Sequence, residues 1–224
     1  MNQWIRNNRG LLVLALLLGL VRSAVADWNR VPSGSMRPTI LEGDVVLVNR
    51  LAYDFKLPLT QVVLARVGEP RRGDIVTFYS PQNGHRLIKR LVALPGDSVE
   101  MRDKTLIVNG RAASYAPVAT VLERVAADTV VHAVQLDEKT ADGERIVQWL
   151  SLPGASRRDS FGPLRVAADR YLMLGDNRDN SADSRYFGLV PRELLIGRAV
   201  TVLVSADITG NWMPRFARFG RTLD

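Results

Sequence analysis

Short apolar runs separated by polar turn residues dominate the chain after residue 30. Runs of about four to eight residues, bounded by Gly, Pro, Asn and Asp, are typical of β-strands. The pattern predicts strands at 45–48, 75–79, 87–94, 106–108, 129–136, 146–152, 171–174 and 199–204. Helical periodicity is weak past the N-terminus, so the predicted fold class is mostly β, a sandwich or irregular barrel of short antiparallel strands.

Two dipeptides predict where neighbouring strands reverse direction. Asn109-Gly110 follows an apolar run, and Asp142-Gly143 lies between two others. Both favour the tight turns of antiparallel hairpins, because Gly and Asn tolerate a positive φ. Pro191 predicts one short helical turn over 191–195, since proline fits the first position of a helix.

The N-terminal segment contains the longest apolar run. Arg6 and Arg9 precede the run 11–21. Two interpretations fit: a cleaved signal peptide with Ala24-Val25-Ala26 as its cleavage site, or a retained membrane anchor. A helix over 11–26 would be about 24 Å long, shorter than the ~30 Å hydrocarbon core of a bilayer. Under either interpretation, the basic N-terminus places the bulk of the chain outside the cytoplasm.

Composition narrows the possible chemistry. The chain has 224 residues, no cysteine, two histidines and a formal net charge of +7. The lack of cysteine excludes disulfides, thiolate catalysis and cysteine-based zinc sites. The arginines are scattered and accompany no zinc-finger, Walker or RNP motif, so no nucleic-acid partner is expected. The charge favours acidic surfaces such as anionic lipid, and neither a metal nor a cofactor is predicted.

Ser35 is the candidate nucleophile. It lies in the run Val31-Pro32-Ser33-Gly34-Ser35-Met36-Arg37-Pro38-Thr39, just beyond the apolar segment. Pro38 resists regular strand pairing and favours a bend, which exposes a side chain and frees backbone N–H groups. Those donors and the Ser33 hydroxyl would stabilise a developing oxyanion. A plain polar turn is the alternative interpretation of the same residues.

Lys89 is the candidate base. Alternate side chains of a strand share a face, so Lys89 lies with Leu87 and Leu91 while Arg90 points the other way. An ammonium among apolar neighbours loses hydration and its pKa falls, which lets a neutral lysine take a proton from a serine hydroxyl. Two alternatives stay open: an edge-strand lysine whose amine reaches water, and His85 as the base.

A third polar segment, 175–188, is dense in Asp, Asn and Ser. It resembles a calcium-binding loop only loosely, because the ligand spacing and the closing Glu are missing. A structural loop fits better, ordered by Asx turns and by an ion pair between Asp183 and Arg185. Ser181 is then available as a further hydroxyl near the site.

These segments resemble the conserved boxes of bacterial type I signal peptidases, and they occur in the same order. The three boxes match 32–39, 88–97 and 175–185, and Arg72-Gly73-Asp74 before a strand is also similar to that family. The resemblance leaves 111–168 without a matching motif. It implies coiled antiparallel β-sheets of signal-peptidase type with one N-terminal transmembrane helix, and it favours a retained anchor over a cleaved signal.

The resemblance also implies roles for the catalytic residues. Ser35 would be the nucleophile and Lys89 the general base. Ser33 would add its hydroxyl to the oxyanion hole beside the Ser35 amide, and Ser181 would orient the lysine amine. The substrates would be signal-peptide-bearing preproteins, cleaved after small-x-small motifs.

Further residues would support the site or line it. By the same resemblance, Asp183 and Arg185 hold the site together as an ion pair, and Arg90 is structural. Shallow apolar pockets would select small substrate side chains, with Met36 and Ile88 as lining.

Composition and resemblance together divide the chain. They predict a cytoplasmic N-terminus 1–9, a transmembrane anchor 10–27, a catalytic β core 28–110 and 169–210, an inserted smaller β subdomain 111–168, and a basic, aromatic tail 211–224. The tail is either an interfacial membrane contact or a frayed terminus. The expected location is the cytoplasmic (inner) membrane, single-pass, with the catalytic domain on the extracytoplasmic side and membrane lipid as a partner.

Other functions stay open. One is a specialised maturation peptidase of a conjugation or pilus system, and another is a non-catalytic membrane-tethered relative. The intact set of Ser35, Lys89 and Ser181 argues against the second. A repressor-type autoprotease is disfavoured, because the apolar N-terminus offers neither a DNA-binding domain nor a cleavable linker.

Overall fold

The structure is a computed structural model that describes residues 2–126, 129–151 and 158–223. Its helices are α1 Asn2–Asn7, α2 Arg9–Ala24 and α3 Ser184–Phe187, with single 3-10 turns at Gly34–Met36, Arg50–Ala52, Arg192–Leu194 and Phe216–Arg218. The strands are β1 Ala26–Arg30, β2 Asp44–Asn49, β3 Asp54–Lys56, β4 Val63–Arg66, β5 Ile75–Tyr79, β6 Arg86–Ala93, β7 Ser98–Arg102, β8 Thr105–Val108, β9 Arg111–Ala112, β10 Ser114–Ala126, β11 Thr129–Thr140, β12 Gly143–Leu150, β13 Phe161–Arg165, β14 Arg170–Leu174, β15 Val190–Pro191 and β16 Leu195–Ser205. The prediction of a mostly β fold with antiparallel strands is confirmed.

A seven-stranded sheet carries the candidate site. Its strand order is β1-β2-β16-β5-β6-β14-β15, so β5 and β6 lie near its centre. On β5, the residues Ile75 to Phe78 are all buried, as expected for a central strand that is covered on both faces. The register places Val76 of β5 opposite Lys89 of β6. The side chain of Lys89 is therefore held on a central strand, away from water.

Apolar cores lie on both faces of this sheet. One core contains Met36, Ile40 and Ile75, and another contains Val76 and Phe78. Ile75 and Val76 are neighbours in sequence but belong to different cores, because successive side chains of a strand point to opposite faces. Each fully buried aliphatic side chain contributes about 1.5–3 kcal/mol relative to leaving it exposed.

Residues of the predicted inserted subdomain belong to two different sheets. Strands β10, β11 and β12 form a three-stranded sheet of their own, whereas β13 and β9 join β7 and β8 in a second sheet. The predicted hairpin at Asn109-Gly110 is confirmed, with φ values of 52° and 76° at the reversal. The division at 111–168 stays a prediction, and within it residues 127, 128 and 152–157 lie outside the described residues.

The N-terminus differs from the predicted anchor 10–27. Helix α2 ends at Ala24, and the next residues form β1, which pairs with β2. Asp27 of β1 is buried and binds Arg22 and Arg86, each at 2.9 Å. This cluster of charges holds the end of the predicted span in the sheet. No helix in the described part of the chain combines the length and the apolar character needed to cross a membrane.

The C-terminal tail is bonded to the body of the protein. Bridges join Thr222 to Thr201 and Pro214 to Ala206. Arg218 donates to Asp44 Oδ2 at 2.5 Å and to the carbonyl of Thr39 at 3.0 Å. The interpretation of a frayed terminus is therefore wrong for the described tail residues, although several of the tail's aromatic side chains remain exposed.

Candidate active site

Ser35 lies on a single 3-10 turn, Gly34–Met36, between β1 and β2. Met36 anchors the turn, because it is fully buried in an apolar core. Ser35 is half-buried, so its hydroxyl remains at the surface of the site. The turn is tight at Gly34, where a Cβ would lie 2.5 Å from Glu42 Oε1. The prediction that this segment bends and presents Ser35 agrees with the geometry.

The Lys89 amine lies against the Ser35 hydroxyl. Lys89 Nζ donates to Ser35 Oγ at 2.5 Å and to the carbonyl of Ile88 at 3.0 Å. Only 3% of Lys89 is exposed, which fits the predicted apolar strand face. His85, the alternative base, is exposed. The structure thus pairs the serine hydroxyl with the lysine.

Burial lowers the pKa of Lys89 from 10.5 to about 8. The cause is lost hydration of the ammonium, which the nearby charges of Asp183 and Asp176 oppose only in part. Near neutral pH, a useful fraction of such a lysine is the free amine. This amine can accept a proton from the hydroxyl that it contacts.

The segment 175–185 packs directly behind the turn that carries Ser35. A Cβ on Gly175 would lie 2.5 Å from the carbonyl oxygen of Ser35 and 2.2 Å from Ser181 Oγ. The backbone N–H of Asn177 donates to the same Ser35 carbonyl at 3.1 Å. Glycine is therefore required at 175, and the loop holds the backbone of Ser35 in place.

Asp183 and Arg185 form a buried ion pair within this loop. Arg185 binds the Asp183 carboxylate through Nε at 2.9 Å and Nη2 at 2.8 Å. Asp183 also accepts the backbone N–H of Gly175 at 3.0 Å. Burial alone would raise the pKa of Asp183, but the bonds and charge of Arg185 hold it below its ordinary value. The carboxylate is thus ionised and fixes the loop.

Arg90 forms a second buried ion pair behind the site. Its Nε and Nη2 bind the two oxygens of Asp176 at 2.9 and 2.8 Å. Thr39, just after the catalytic turn, donates its hydroxyl to Asp176 Oδ2 at 2.6 Å. The pair therefore joins β6 to the loop and to the segment that follows Ser35.

The two other serines flank the pair of Ser35 and Lys89. Ser33 is exposed and immediately precedes the catalytic turn, with no capping hydrogen bond from its side chain. Ser181 is buried beside Gly175, and its hydroxyl helps to hold the pKa of Asp183 below its ordinary value. The expected bond from Ser181 to the lysine amine is not formed in this structure. Ser33 nevertheless lies next to the Ser35 turn in sequence, and Ser181 lies beside Gly175, which packs against the Ser35 backbone.

The two predicted pocket residues lie at different depths. Met36 has no exposed surface, since it packs in the core, and so it can only form the floor beneath a pocket. Ile88 is half-buried, packs against the same core and keeps some surface.

No group of His, Asp or Glu side chains in the described ranges is arranged to hold a metal ion.

A family model described as signal peptidase, peptidase S26, matches residues 2–204. The chain belongs to this family. Signal peptidase I of Pseudomonas fluorescens is 36% identical over 221 residues, which cover 93% of this chain and 75% of that protein. Signal peptidase I of Pseudomonas aeruginosa is 34% identical with the same coverage. A crystal structure of a signal peptidase I from Enterococcus faecalis is 33% identical and covers 58% of this chain and 96% of that chain, with a TM-score of 0.35.

Membership of the signal peptidase family confirms the resemblance that rested on the three boxes. In this peptidase, sequence reasoning missed several buried polar residues that support the site. They are Glu123, Glu138, Gln148, Asn177 and Arg178, together with the half-buried Thr39. Asn177 and Arg178 lie within the polar segment 175–188, so the density of polar residues there could have indicated them. Glu123, Glu138 and Gln148 lie in the segment without a family motif, and nothing in their spacing marks them.

Proposed function

We propose that this protein is a membrane-tethered serine endopeptidase that cleaves N-terminal signal peptides from exported precursors, with Ser35 as nucleophile and Lys89 as general base. The observation that carries the proposal is the 2.5 Å contact between Lys89 Nζ and Ser35 Oγ. The lowered pKa of Lys89, about 8, supports the direction of proton transfer. Family membership supports signal peptides as the substrate.

The chemistry follows from this contact. Ser35 Oγ attacks the carbonyl carbon of the scissile bond while its proton passes to the neutral amine of Lys89. The carbonyl oxygen becomes an oxyanion, which the Ser35 N–H and the Ser33 hydroxyl would stabilise. Lys89 then returns the proton to the departing amine as the C–N bond breaks. Water, deprotonated by the same lysine, hydrolyses the acyl-enzyme and restores both groups.

The surroundings of Lys89 suit both protonation states. Burial favours the neutral amine before attack. The carboxylates of Asp183 and Asp176 favour the ammonium that forms during attack. Since both carboxylates are held ionised by arginines, their field is present throughout the cycle.

Helix α2 supports the membrane tether. Its large apolar side chains from Leu11 to Leu18 are 40–65% exposed, on every side of the helix. An apolar surface of this kind is covered in most proteins by lipid or by another protein. Arg6 before the helix and Arg9 at its first position favour a cytoplasmic N-terminus, and so a catalytic domain on the extracytoplasmic side.

Two alanine variants test the proposal. The full chain is assayed in detergent micelles with a fluorogenic peptide that carries Ala-x-Ala before the scissile bond. Ser35→Ala and Lys89→Ala should each lower kcat by at least about 10⁴-fold, because each removes a group that takes part in bond making. Circular dichroism checks that both variants remain folded.

Lys56→Ala provides a matched control. Lys56 is also a buried lysine, but its amine donates to the carbonyl of Leu195, away from the candidate site. This variant should keep kcat within a fewfold of the parent. Near-normal turnover by Ser35→Ala or by Lys89→Ala would exclude the proposed mechanism.

A further inference from the structure

The hydrogen bonds behind the catalytic turn continue into β10, in the segment that has no family motif. Glu123 of β10 is 2% exposed. Its carboxylate accepts hydrogen bonds from Asn177 Nδ2 at 2.9 Å and from Gln148 Nε2. Arg37 Nη1 lies 3.9 Å from the same carboxylate. Burying a carboxylate costs several kcal/mol unless partners of this kind compensate.

Asn177 connects this carboxylate to the turn that carries Ser35. Asn177 Nδ2 donates to the carbonyl of Gly34 at 3.1 Å as well as to Glu123 Oε1. Its backbone N–H donates to the carbonyl of Ser35 at 3.1 Å. One residue therefore holds the two peptide groups on either side of the Ser35 Cα.

The Gly34 carbonyl matters because of peptide planarity. The C=O of Gly34 and the N–H of Ser35 belong to the same peptide group, which is rigid and planar. A hydrogen bond that fixes the carbonyl on one side therefore fixes the direction of the N–H on the other. The Ser35 N–H is the backbone donor of the proposed oxyanion hole. Its direction therefore depends in part on the Asn177 side chain, which shares the Gly34 carbonyl with the backbone N–H of Arg37.

Glu123 determines which way the Asn177 amide faces. Within the described residues, Asn177 Oδ1 has no hydrogen-bond partner, so the amide is held only through Nδ2 and its two acceptors. A flipped amide would place Oδ1 against both acceptor oxygens. Removing Glu123 would take away one of the two acceptors and free the amide to rotate.

Strand β12, at the other edge of the same sheet, reinforces the same contact through the backbone. Gln148 of β12 donates its N–H to the carbonyl of Asp176 at 2.8 Å and accepts the N–H of Arg178 at 2.8 Å. The loop residue between them is Asn177. The sheet of β10, β11 and β12 is thus bonded to the polar loop at the point where the loop contacts the catalytic turn.

We propose that Glu123 is a positioning residue for catalysis, which acts through Asn177 to aim the Ser35 N–H at the oxyanion. This inference rests on the proposed function and adds a catalytic contribution from the segment that lacks a family motif. Burial raises the pKa of Glu123 in spite of the opposing charge of Arg37. A carboxylate kept in so unfavourable a place, one residue removed from the Ser35 turn through Asn177, fits a functional role.

The test measures kcat and KM separately with the fluorogenic peptide and the full chain. Glu123→Ala should lower kcat by about 10- to 100-fold, because a misplaced oxyanion donor weakens binding of the transition state. KM should change less than about threefold, since buried Glu123 has almost no surface for substrate. Glu123→Gln should keep kcat within about threefold, because its amide oxygen still accepts from Asn177.

A double-mutant cycle tests the route through Asn177. Asn177→Ala should reproduce the loss in kcat, and the combination with Glu123→Ala should be no slower than the slower single variant. Glu144→Ala, in the same sheet but exposed, is the control and should leave kcat unchanged. If Glu123→Ala does not fold, Glu123→Asp withdraws the carboxylate from Asn177 while keeping its charge, and about a tenfold loss in kcat is expected.

Three results would overturn the inference: a parental kcat in Glu123→Ala or Glu123→Asp, a Glu123→Gln variant as slow as Glu123→Ala, or losses that multiply in the double variant. None of them affects the proposed function, provided that Ser35→Ala and Lys89→Ala are inactive. Activity in Ser35→Ala would instead reject the proposed function itself.

Discussion

Lys89 and Arg90 are adjacent on β6 and equally buried, each 3% exposed, but their partners differ. Arg90 binds both oxygens of the Asp176 carboxylate. The amine of Lys89 contacts two neutral oxygens, the hydroxyl of Ser35 and the carbonyl of Ile88. On β6, therefore, Arg90 is paired with a carboxylate and Lys89 is hydrogen-bonded only to neutral groups.

The different partners give the two cations opposite shifts in pKa. Burial tends to lower the pKa of both residues, but for Arg90 the charge and the hydrogen bonds of Asp176 together outweigh burial, and its pKa is raised. For Lys89 burial prevails, and its pKa falls to about 8. A carboxylate partner thus keeps a structural cation charged. A hydroxyl partner leaves the lysine able to give up its proton and act as a base.

The largest expected effect comes from breaking the matched pair. Asp176→Asn would leave Arg90 charged, buried and without its anion, and it should lower the free energy of unfolding by about 3–5 kcal/mol. Urea denaturation followed by circular dichroism measures this loss. Asp169→Asn, at an ion pair with Arg66 that is 57% exposed on both sides, is the control and should cost less than about 1 kcal/mol. If Asp176→Asn lowered the free energy of unfolding by less than about 1 kcal/mol, Asp176 would not be a stabilising partner of the buried Arg90.

The next effect has the opposite sign. Lys89→Met replaces the unpaired amine by an apolar chain and should stabilise the protein by up to about 3 kcal/mol at pH 7, following from a pKa near 8 in place of 10.5. Below pH 8 Lys89 is charged in both the folded and the unfolded protein, so folding bears the full free-energy cost of burying the ammonium. That cost vanishes as the pH rises from about 8 toward 10.5, so the gain should shrink there.

Urea melts at pH 7 and pH 10 measure this gain. Lys139→Met removes an exposed lysine and should change stability little at either pH. A Lys89→Met variant less stable than the parent at pH 7 would show that the amine is not a cost to the fold.

The smallest effect is the pH dependence of the rate. With Lys89 as the base, kcat/KM should rise about tenfold per pH unit below 8 and level off above it, because only the free amine is active. Lys89→Arg should be inactive at every pH, since arginine does not deprotonate. A midpoint near 10.5 would mean that burial does not lower the pKa of Lys89 in solution.

Sequence reasoning was most successful where the deciding interaction is local. Strand periodicity alone placed Lys89 on an apolar face, and the structure buries it. Asp183 and Arg185 are two residues apart, so their ion pair was also predictable from spacing. Arg90 was expected on the face opposite to Lys89, but its partner is 86 positions away. No local pattern reveals such a pair, and only the family resemblance indicated a structural role.

The missed elements share a physical cause. β10, the longest strand at 13 residues, contains Pro117, Glu123 and Arg124, which break the apolar alternation. Its strand conformation depends on pairing with β11, not on its own composition. The start of β1 lies within the predicted anchor 10–27, and the apolar run gives no sign that a strand begins at residue 26. The polar contacts of Glu123 follow from that packing and were equally invisible.

The bond between Arg218 and the carbonyl of Thr39 has a consequence for synthesis. Thr39, which follows the Ser35 turn, donates to Asp176, and Asp176 binds Arg90, so the contacts around the turn come from three distant parts of the chain. A ribosome makes the serine first and these partners much later. A nascent chain with residues 35 and 89 already outside the ribosome would still lack the framework that holds them. The contacts around the Ser35 turn are therefore complete only when translation is nearly finished.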